Sequence, residues 1–315
     1  MAPYRLTLKK INLPIRNGFL RYFIIFAYIF ALYLFPQNTV PNEFHWYALL
    51  IGGGATNQDC LDSFYSNITY ANSTLLKLGY NQKNIKLLFF NGKSTKYPLA
   101  ESAATKINVV KELSRISKIA DVNDSLLIFR SGHGIIELIF HKYGILPKGK
   151  VLKDDNFVHT IGTAAVMCFP DGYLSYLELQ EILKRIEARQ IVLILNQCYS
   201  GQFTQISNHL ANTVVISQTE DVGYAFHSQR TPENWETEVW PFVKCIFDGF
   251  LPVEGKSKRK SVSEAFEYML SCNPNVQGVP ILADRPLIIE KPQIRYGKKL
   301  KRGTVFINKV IRYHR

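Results

Sequence analysis

The chain has 315 residues, of which 47% are hydrophobic and 20% charged, a balance typical of globular proteins with a substantial core. Its formal net charge of +13 comes from the two ends, because residues 1–40 hold five basic side chains, residues 291–315 hold nine, and neither segment holds an acidic one. The nearly neutral body between them argues against a nucleic-acid enzyme, which more often carries a basic face, so we expect no nucleic-acid partner.

Residues 1–18 are a basic segment, and residues 19–36 form an apolar stretch that contains a single charge, Arg21. We predict a transmembrane signal-anchor over residues 19–36, because Arg21 can reach the membrane interface and no small-x-small cleavage site follows. A cleaved signal peptide and a buried or interfacial helix are the alternatives. The basic residues place the N-terminus in the cytoplasm and the folded body on the opposite side of the membrane.

From residue 41 to residue 290, short apolar runs alternate with segments of helical periodicity. This alternation predicts an α/β domain with a mainly parallel central sheet that is covered by helices on both faces, a three-layer αβα sandwich. Ser175 and Glu178 have the spacing of a helix capping box, and Thr105 is a predicted N-cap. The predicted strands are 46–54, 84–92, 125–130, 191–196 and 213–218; the predicted helices are 58–78, 106–120, 175–188, 236–249 and 261–271; residues 141–160 are predicted to be a loop.

Two residues with catalytic chemistry follow two of these predicted strands. His133 comes after the run SLLIFRSG and Cys198 after IVLILNQ. An imidazole can take the proton of a neighbouring thiol, which becomes a nucleophilic thiolate, and can later protonate a leaving amine. A cysteine after an apolar strand is by itself more often a core residue, but the positions of both residues beyond parallel strands favour a catalytic pair.

The five cysteines are odd in number and show no CxxC spacing, which argues against a zinc site and against a dense disulfide framework. We predict no metal and no cofactor. Whether one or two disulfides form is left open and depends on whether the body lies in an oxidising compartment. The cysteines other than Cys198 are interpreted as packing residues.

The runs DSLLIFRSGHG and IVLILNQCYSG resemble the paired signatures of caspases, metacaspases, legumain and the catalytic subunit of GPI transamidase. The late segment SVSEAFEYML…GVPILADRPLI is similar to the closing helix and strand of that family. The resemblance covers roughly residues 46–290 and implies a caspase-like sandwich. It also implies a cysteine-type endopeptidase that acts on peptides or proteins, with His133 and Cys198 as catalytic residues and backbone N–H groups of Gly134 and Cys198 as the oxyanion hole.

The same resemblance implies an S1 pocket, which receives the substrate side chain before the cleaved bond. It would draw on the position two before the nucleophile, the strand that follows, and the loop after the first strand; here these are Asn196, Ser217, Gln218 and Asp59. Relatives commonly carry an acidic residue where this chain has Asn196, so the preferred substrate residue does not follow. The acidic side chains in these loops, Asp59, Glu220 and Asp221, favour a basic substrate residue before the cleaved bond.

Two alternative functions stay open. A legumain-like or GPI-transamidase-like transpeptidase would use the same acyl-enzyme, and a catalytically silent caspase-like binding module would share the fold.

Residues 291–315 are predicted to be a basic C-terminal tail that can bind anionic lipid, with Val305, Ile307, Val310 and Ile311 as a short amphipathic element. Self-cleavage in the 141–160 loop is a hypothesis, and Asn67 and Asn72 match glycosylation sequons.

Overall fold

The computed structural model describes residues 44–58, 60–138, 163–221, 223–225, 238–252, 260–276 and 289–307. Residues 1–18, the signal-anchor predicted at 19–36 and the loop predicted at 141–160 lie outside this part of the chain. Within it, no helix is both long enough and apolar enough to cross a membrane.

Nine strands form two sheets in the described ranges. They are β1 (Trp46–Gly53), β2 (Ile85–Phe89), β3 (Ser125–Gly132), β4 (Gly134–Leu138), β5 (Thr163–Phe169), β6 (Gly172–Ser175), β7 (Gln190–Asn196), β8 (Thr213–Ser217) and β9 (Gln293–Tyr296). The larger sheet has the order β2-β1-β3-β7-β8-β9, and the smaller has the order β4-β5-β6. The first five strands of the larger sheet are parallel and β9 is antiparallel to β8, which confirms the prediction of an α/β domain with a mainly parallel sheet.

In the same described ranges, six α-helices accompany these strands: α1 (Asp62–Lys77), α2 (Lys106–Ile119), α3 (Tyr176–Leu183), α4 (Ile206–His209), α5 (Pro241–Phe250) and α6 (Val262–Cys272). The predicted caps are confirmed, because the Thr105 side chain accepts the N–H of Asn108 at 3.1 Å and Ser175 forms a capping box with Glu178. The first helix begins at residue 62 rather than 58, and α3 ends at residue 183 rather than 188.

Helices cover both faces of the larger sheet, because neighbouring strand residues point to opposite sides. Leu127 and Phe129 of β3 join a core with α1, α5 and α6, on what we call the α1 face. Leu126 and Ile128 join a second core with α2 and α3, on the α2 face.

The part of the predicted basic tail that the structure describes, residues 291–307, packs onto the domain. β9 completes the larger sheet, and Val305 and Ile307 are buried, with 1% of each side chain exposed. The tail boundary at residue 290 was therefore wrong, since apolar side chains alternate with the basic ones and fill the core. Val305 and Ile307 do not form a lipid-facing surface.

Helices α5 and α6 are joined by a disulfide between Cys245 and Cys272, whose Cα atoms lie 5.7 Å apart. The interpretation of these two cysteines as simple packing residues was therefore wrong. Cys60, Cys168 and Cys198 are not disulfide-bonded.

Candidate active site

The two predicted catalytic residues follow adjacent parallel strands. The last matched pair of β3 and β7 is Ser131 with Asn196, and His133 and Cys198 each lie two residues beyond it. Neighbouring strands are about 4.8 Å apart, so both residues reach the same edge of the sheet. Gly134 confirms the close approach, because a Cβ atom at this position would lie 2.3 Å from the carbonyl oxygen of Cys198.

His133 is held through both its ring and its backbone. Its ring packs edge-on against Phe64 of α1, with centroids 5.1 Å apart and an interplanar angle of 85°. Phe64 in turn packs against Trp240, at 5.6 Å between centroids. The His133 carbonyl accepts the N–H of Cys168 at 3.1 Å. These contacts place the imidazole on the α1 face at the carboxyl end of β3.

The Cys198 thiol is half-buried and accepts a hydrogen bond from the Ala225 N–H at 3.3 Å. Burial raises its pKa above the ordinary value of 9.0, because a thiolate is poorly solvated there, and the negative charge of Glu290 raises the pKa further. The Ala225 hydrogen bond acts in the opposite direction. The thiol is therefore favoured over the thiolate at neutral pH, and a base would have to remove its proton before the sulfur could act as a nucleophile.

The residue after Cys198 has a backbone conformation that is rare outside glycine. Tyr199 has a φ of 56°, and its N–H donates to the Gly223 carbonyl at 2.7 Å. Ser200 is fixed by Thr219, whose hydroxyl accepts the Ser200 N–H at 3.1 Å. Such conformations cost about 1–3 kcal/mol and are concentrated at functional sites. Here the turn positions Cys198 at the tip between β7 and a 3₁₀ segment.

The backbone N–H of Gly134 points out of the smaller sheet. The bond from the Cys168 N–H to the His133 carbonyl makes Gly134 and Met167 a non-hydrogen-bonded pair of the antiparallel β4–β5 ladder. In such a pair, the N–H of Gly134 points away from β5.

Two of the predicted S1 residues meet in a buried polar network on the α1 face. The Asn196 side-chain carbonyl accepts from the Ser131 hydroxyl at 2.7 Å and from the Asn67 amide at 3.2 Å, and its amide donates to the Gln218 carbonyl. Gln218 donates to a carboxylate oxygen of Glu290 at 2.6 Å. Asn67, Asn196 and Gln218 are fully buried, so this network is a fixed part of the site.

The other predicted S1 residues are placed differently. Ser217 lies on the opposite face of β8 from Gln218, and its hydroxyl donates to the Thr219 carbonyl at 2.9 Å. Asp59 lies outside the described residues. Glu220 forms an ion pair with Lys291 at 3.0 Å. Asp221 lies against Gly201, because a Cβ atom at position 201 would be only 2.8 Å from the Asp221 Oδ1.

Unpaired polar atoms lie beneath the two catalytic candidates. Gln197 is fully buried, and neither its side-chain oxygen nor its nitrogen has a hydrogen-bond partner. Arg130 is also fully buried; its guanidinium donates to the carbonyls of Gly53 at 2.8 Å and Cys168 at 2.7 Å, while its Nε is unpaired. Burial lowers the pKa of Arg130 to about 10. The guanidinium thus braces β1 against β5, whose Cys168 holds His133.

Sequence reasoning missed Asn67, Gln197 and Glu290. Asn67 carried a signal, since it is polar within the otherwise apolar stripe of Phe64, Ile68 and Ala71. Its burial also excludes glycosylation of the folded domain at this sequon, and Asn72, 7% exposed, is nearly as buried. No sequence signal indicated Glu290, because it is distant in sequence from every predicted site residue.

No group of three or more histidine, cysteine, aspartate or glutamate side chains suited to a metal ion occurs among the residues that the structure places. A polar pocket of about 380 Å³ lies at the ends of β1 and β2, beside Cys60 and Lys93. It is separate from the β3–β7 junction that carries His133 and Cys198.

Neither the comparison with protein-family models nor the search of curated proteins finds a match. Among solved structures, the chain is similar to protein GSU0716 from Geobacter sulfurreducens, with a TM-score of 0.51 and 12% sequence identity. The similarity covers 80% of this chain and 94% of that protein. At this identity the likeness concerns the fold alone, and it agrees with the α/β architecture.

Proposed function

We propose that the protein is a caspase-like, cysteine-type endopeptidase that uses His133 and Cys198 as a catalytic dyad. The observation that carries this proposal is the register of β3 and β7, which end on the matched pair Ser131–Asn196 and deliver both residues to one edge. The carboxyl edge of a parallel sheet is the usual place for a reaction site. The left-handed turn at Tyr199 supports the same reading.

The reaction begins when the His133 imidazole takes the proton of the Cys198 thiol and the sulfur attacks the peptide carbonyl. The carbonyl oxygen becomes negatively charged and is met by the N–H groups of Gly134 and Cys198. The C–N bond then breaks, and His133 returns the proton to the leaving amine. Water, deprotonated by His133, attacks the thioester and releases the carboxylic acid and the free thiol. The raised pKa of Cys198 fits this general-base route better than a preformed thiolate.

The test is hydrolysis of a fluorogenic peptide library, varied at the residue before the cleaved bond, by the full chain in detergent. Cys198→Ala and His133→Ala should each lower kcat at least about 10³-fold, as expected for members of one catalytic unit. Cys60→Ala and His209→Ala are matched controls and should retain activity. Undiminished hydrolysis by Cys198→Ala would overturn the proposal, as would a wild type that cleaves no library member.

The domain is further proposed to lie on the non-cytoplasmic side of a membrane, anchored by residues 19–36. The Cys245–Cys272 disulfide supports this location, because disulfides persist mainly in oxidising compartments. Alkylation of intact and permeabilised cells with a membrane-impermeant thiol reagent tests the orientation. Thiols that react once the plasma membrane alone is permeabilised would place the domain in the reducing cytosol, and this result would contradict the proposed orientation.

A further inference from the structure

A short segment of the chain after β8 contacts the nucleophile. It consists of residues 223–225, which we call the crossing segment. The N–H of Ala225 donates to the Cys198 Sγ at 3.3 Å. The neighbouring Tyr224 ring packs against the ring of Tyr199, with centroids 5.2 Å apart and an interplanar angle of 60°. The crossing segment therefore lies against both the thiol and the residue that follows it.

Hydrogen bonds fix the crossing segment against the turn that follows β7. The Gly223 carbonyl accepts the Tyr199 N–H at 2.7 Å. At the base of the same loop, the Thr219 hydroxyl accepts the Ser200 N–H at 3.1 Å, and the Ser200 hydroxyl accepts the Thr219 N–H at 3.2 Å. Thr219 and Ser200 are both buried. The Ala225 N–H is therefore held in position before any substrate binds, which is what an effective electrostatic donor requires.

The sulfur of Cys198 carries negative charge at two stages of the proposed reaction. It is a thiolate when it attacks the peptide carbonyl, and it receives the electron pair of the C–S bond when water releases the carboxylic acid, before His133 returns the proton to it. The bond from the Ala225 N–H becomes stronger at both stages, because hydrogen bonds to ionised groups are about twice as strong as neutral ones. The same bond opposes the effect of burial, which raises the pKa of the thiol.

We propose that the backbone N–H of Ala225 is a catalytic donor that stabilises negative charge on the Cys198 sulfur, an inference that rests on the proposed peptidase function. Its place in the reaction differs from that of the Gly134 N–H, which is proposed to meet the carbonyl oxygen of the substrate, whereas the Ala225 N–H contacts the sulfur itself. The loop after β8 thus supplies a group to the reaction centre in addition to the residues that follow β3 and β7. Because the donor is a backbone group, no sequence motif indicates it.

The test replaces Ala225 with proline, which has no N–H. For the full chain in detergent, kcat on the fluorogenic peptides should fall about 10-fold or more while KM stays nearly constant, because one hydrogen bond to a charged group is lost. Alkylation of Cys198 by iodoacetamide at neutral pH, followed by mass spectrometry, should slow about 3-fold, since a smaller thiolate fraction is partly offset by a more nucleophilic sulfur. Ala225→Gly keeps the N–H and is the matched control, so both rates should be unchanged.

A chain with L-lactic acid at position 225 removes the donor alone. This residue keeps the methyl side chain and replaces the N–H with an ester oxygen, so it should lower kcat and slow alkylation in the same way as Ala225→Pro. It decides the question if the proline variant does not fold, which a lower melting temperature would reveal.

The outcomes separate this inference from the function on which it rests. Unchanged kcat and alkylation in the lactic acid variant would overturn the role of Ala225 while leaving the peptidase intact. Faster alkylation or a higher kcat would show that the crossing segment shields the thiol, and this result would overturn the role as well. A wild type that cleaves no peptide would overturn the proposed function together with the catalytic role, whatever the alkylation rates.

Discussion

The disulfide between α5 and α6 gives a prediction whose magnitude follows from the structure. Cys245 is 3% exposed and Cys272 is the last residue of α6, 27 positions further along the chain. Replacing both by alanine removes the covalent link together with the two sulfur atoms and leaves the other contacts of the two helices in place, including that of Gly249 with Ala265. The change therefore acts mainly on the unfolded chain, which gains freedom when the loop is opened.

Loop-closure entropy for a separation of 27 residues corresponds to about 3.5 kcal/mol at 25 °C. For a domain of this size, each kcal/mol shifts the melting temperature by about 2–4 °C, so we expect the Cys245→Ala/Cys272→Ala variant to melt about 7–14 °C lower. Urea denaturation followed by tryptophan fluorescence measures the free energy, and scanning calorimetry measures the melting temperature. Dithiothreitol should destabilise the wild type by a similar amount.

Thiol counting provides the control. The unfolded, non-reduced wild type should titrate with three thiols, Cys60, Cys168 and Cys198, and the reduced protein with all five. Dithiothreitol should leave the double variant unchanged. Five reactive thiols in protein purified without reductant, or a double variant as stable as the wild type, would refute the reasoning and remove the support for an oxidising compartment.

Three further predictions concern the dyad. Gly134→Ala should lower kcat by about 10²–10³-fold, the cost of losing an oxyanion donor, because the new methyl group would displace the Cys198 carbonyl, 2.3 Å away; unchanged kcat in a steady-state assay would contradict this. Alkylation of Cys198 by iodoacetamide should reach half its maximal rate above pH 9.0, since a raised pKa lowers the thiolate fraction at any given pH; a midpoint below pH 7 would show a preformed thiolate. Gln197→Met should raise the free energy of unfolding in urea by about 1 kcal/mol or more, because it removes two unpaired buried atoms; a less stable variant would show that the amide is bonded in solution.

The sequence predicted the parallel part of the larger sheet well because its strands are continuous apolar runs that are buried on both faces. All eight residues of β3 and all seven of β7 are buried, so periodicity and burial agree there. The helix starts at Thr105 and Ser175 were predicted equally well, since a helix cap depends on only a few adjacent residues.

Elements that depend on distant partners were not predicted. β9 has the sequence Gln-Ile-Arg-Tyr, and only its antiparallel pairing with β8 identifies it as a strand. The smaller sheet was missed for a related reason: β6 has four residues, and its pairing with β5 stabilises it. The strands β3 and β7 could be predicted from the sequence, so His133 and Cys198 could be placed at one edge of the sheet. The position of Glu290 depends on where the chain returns to the sheet, which no local sequence pattern indicates.

Departures from local folding rules occur beside the dyad and elsewhere in the domain. Helices α3 and α6 both begin with complete capping boxes, whereas Phe90 has a φ of 34° and the buried hydroxyls of Ser63 and Thr213 are unpaired. Beside the dyad, Tyr199 is left-handed, and Gln197 and Arg130 carry unpaired polar atoms. A chain selected for stability alone would replace Gln197 with an apolar residue, because each unpaired buried group costs about 1–3 kcal/mol. Conflicts of this kind are expected where function constrains the fold, and those at Tyr199, Gln197 and Arg130 agree with the proposed reaction centre at this edge.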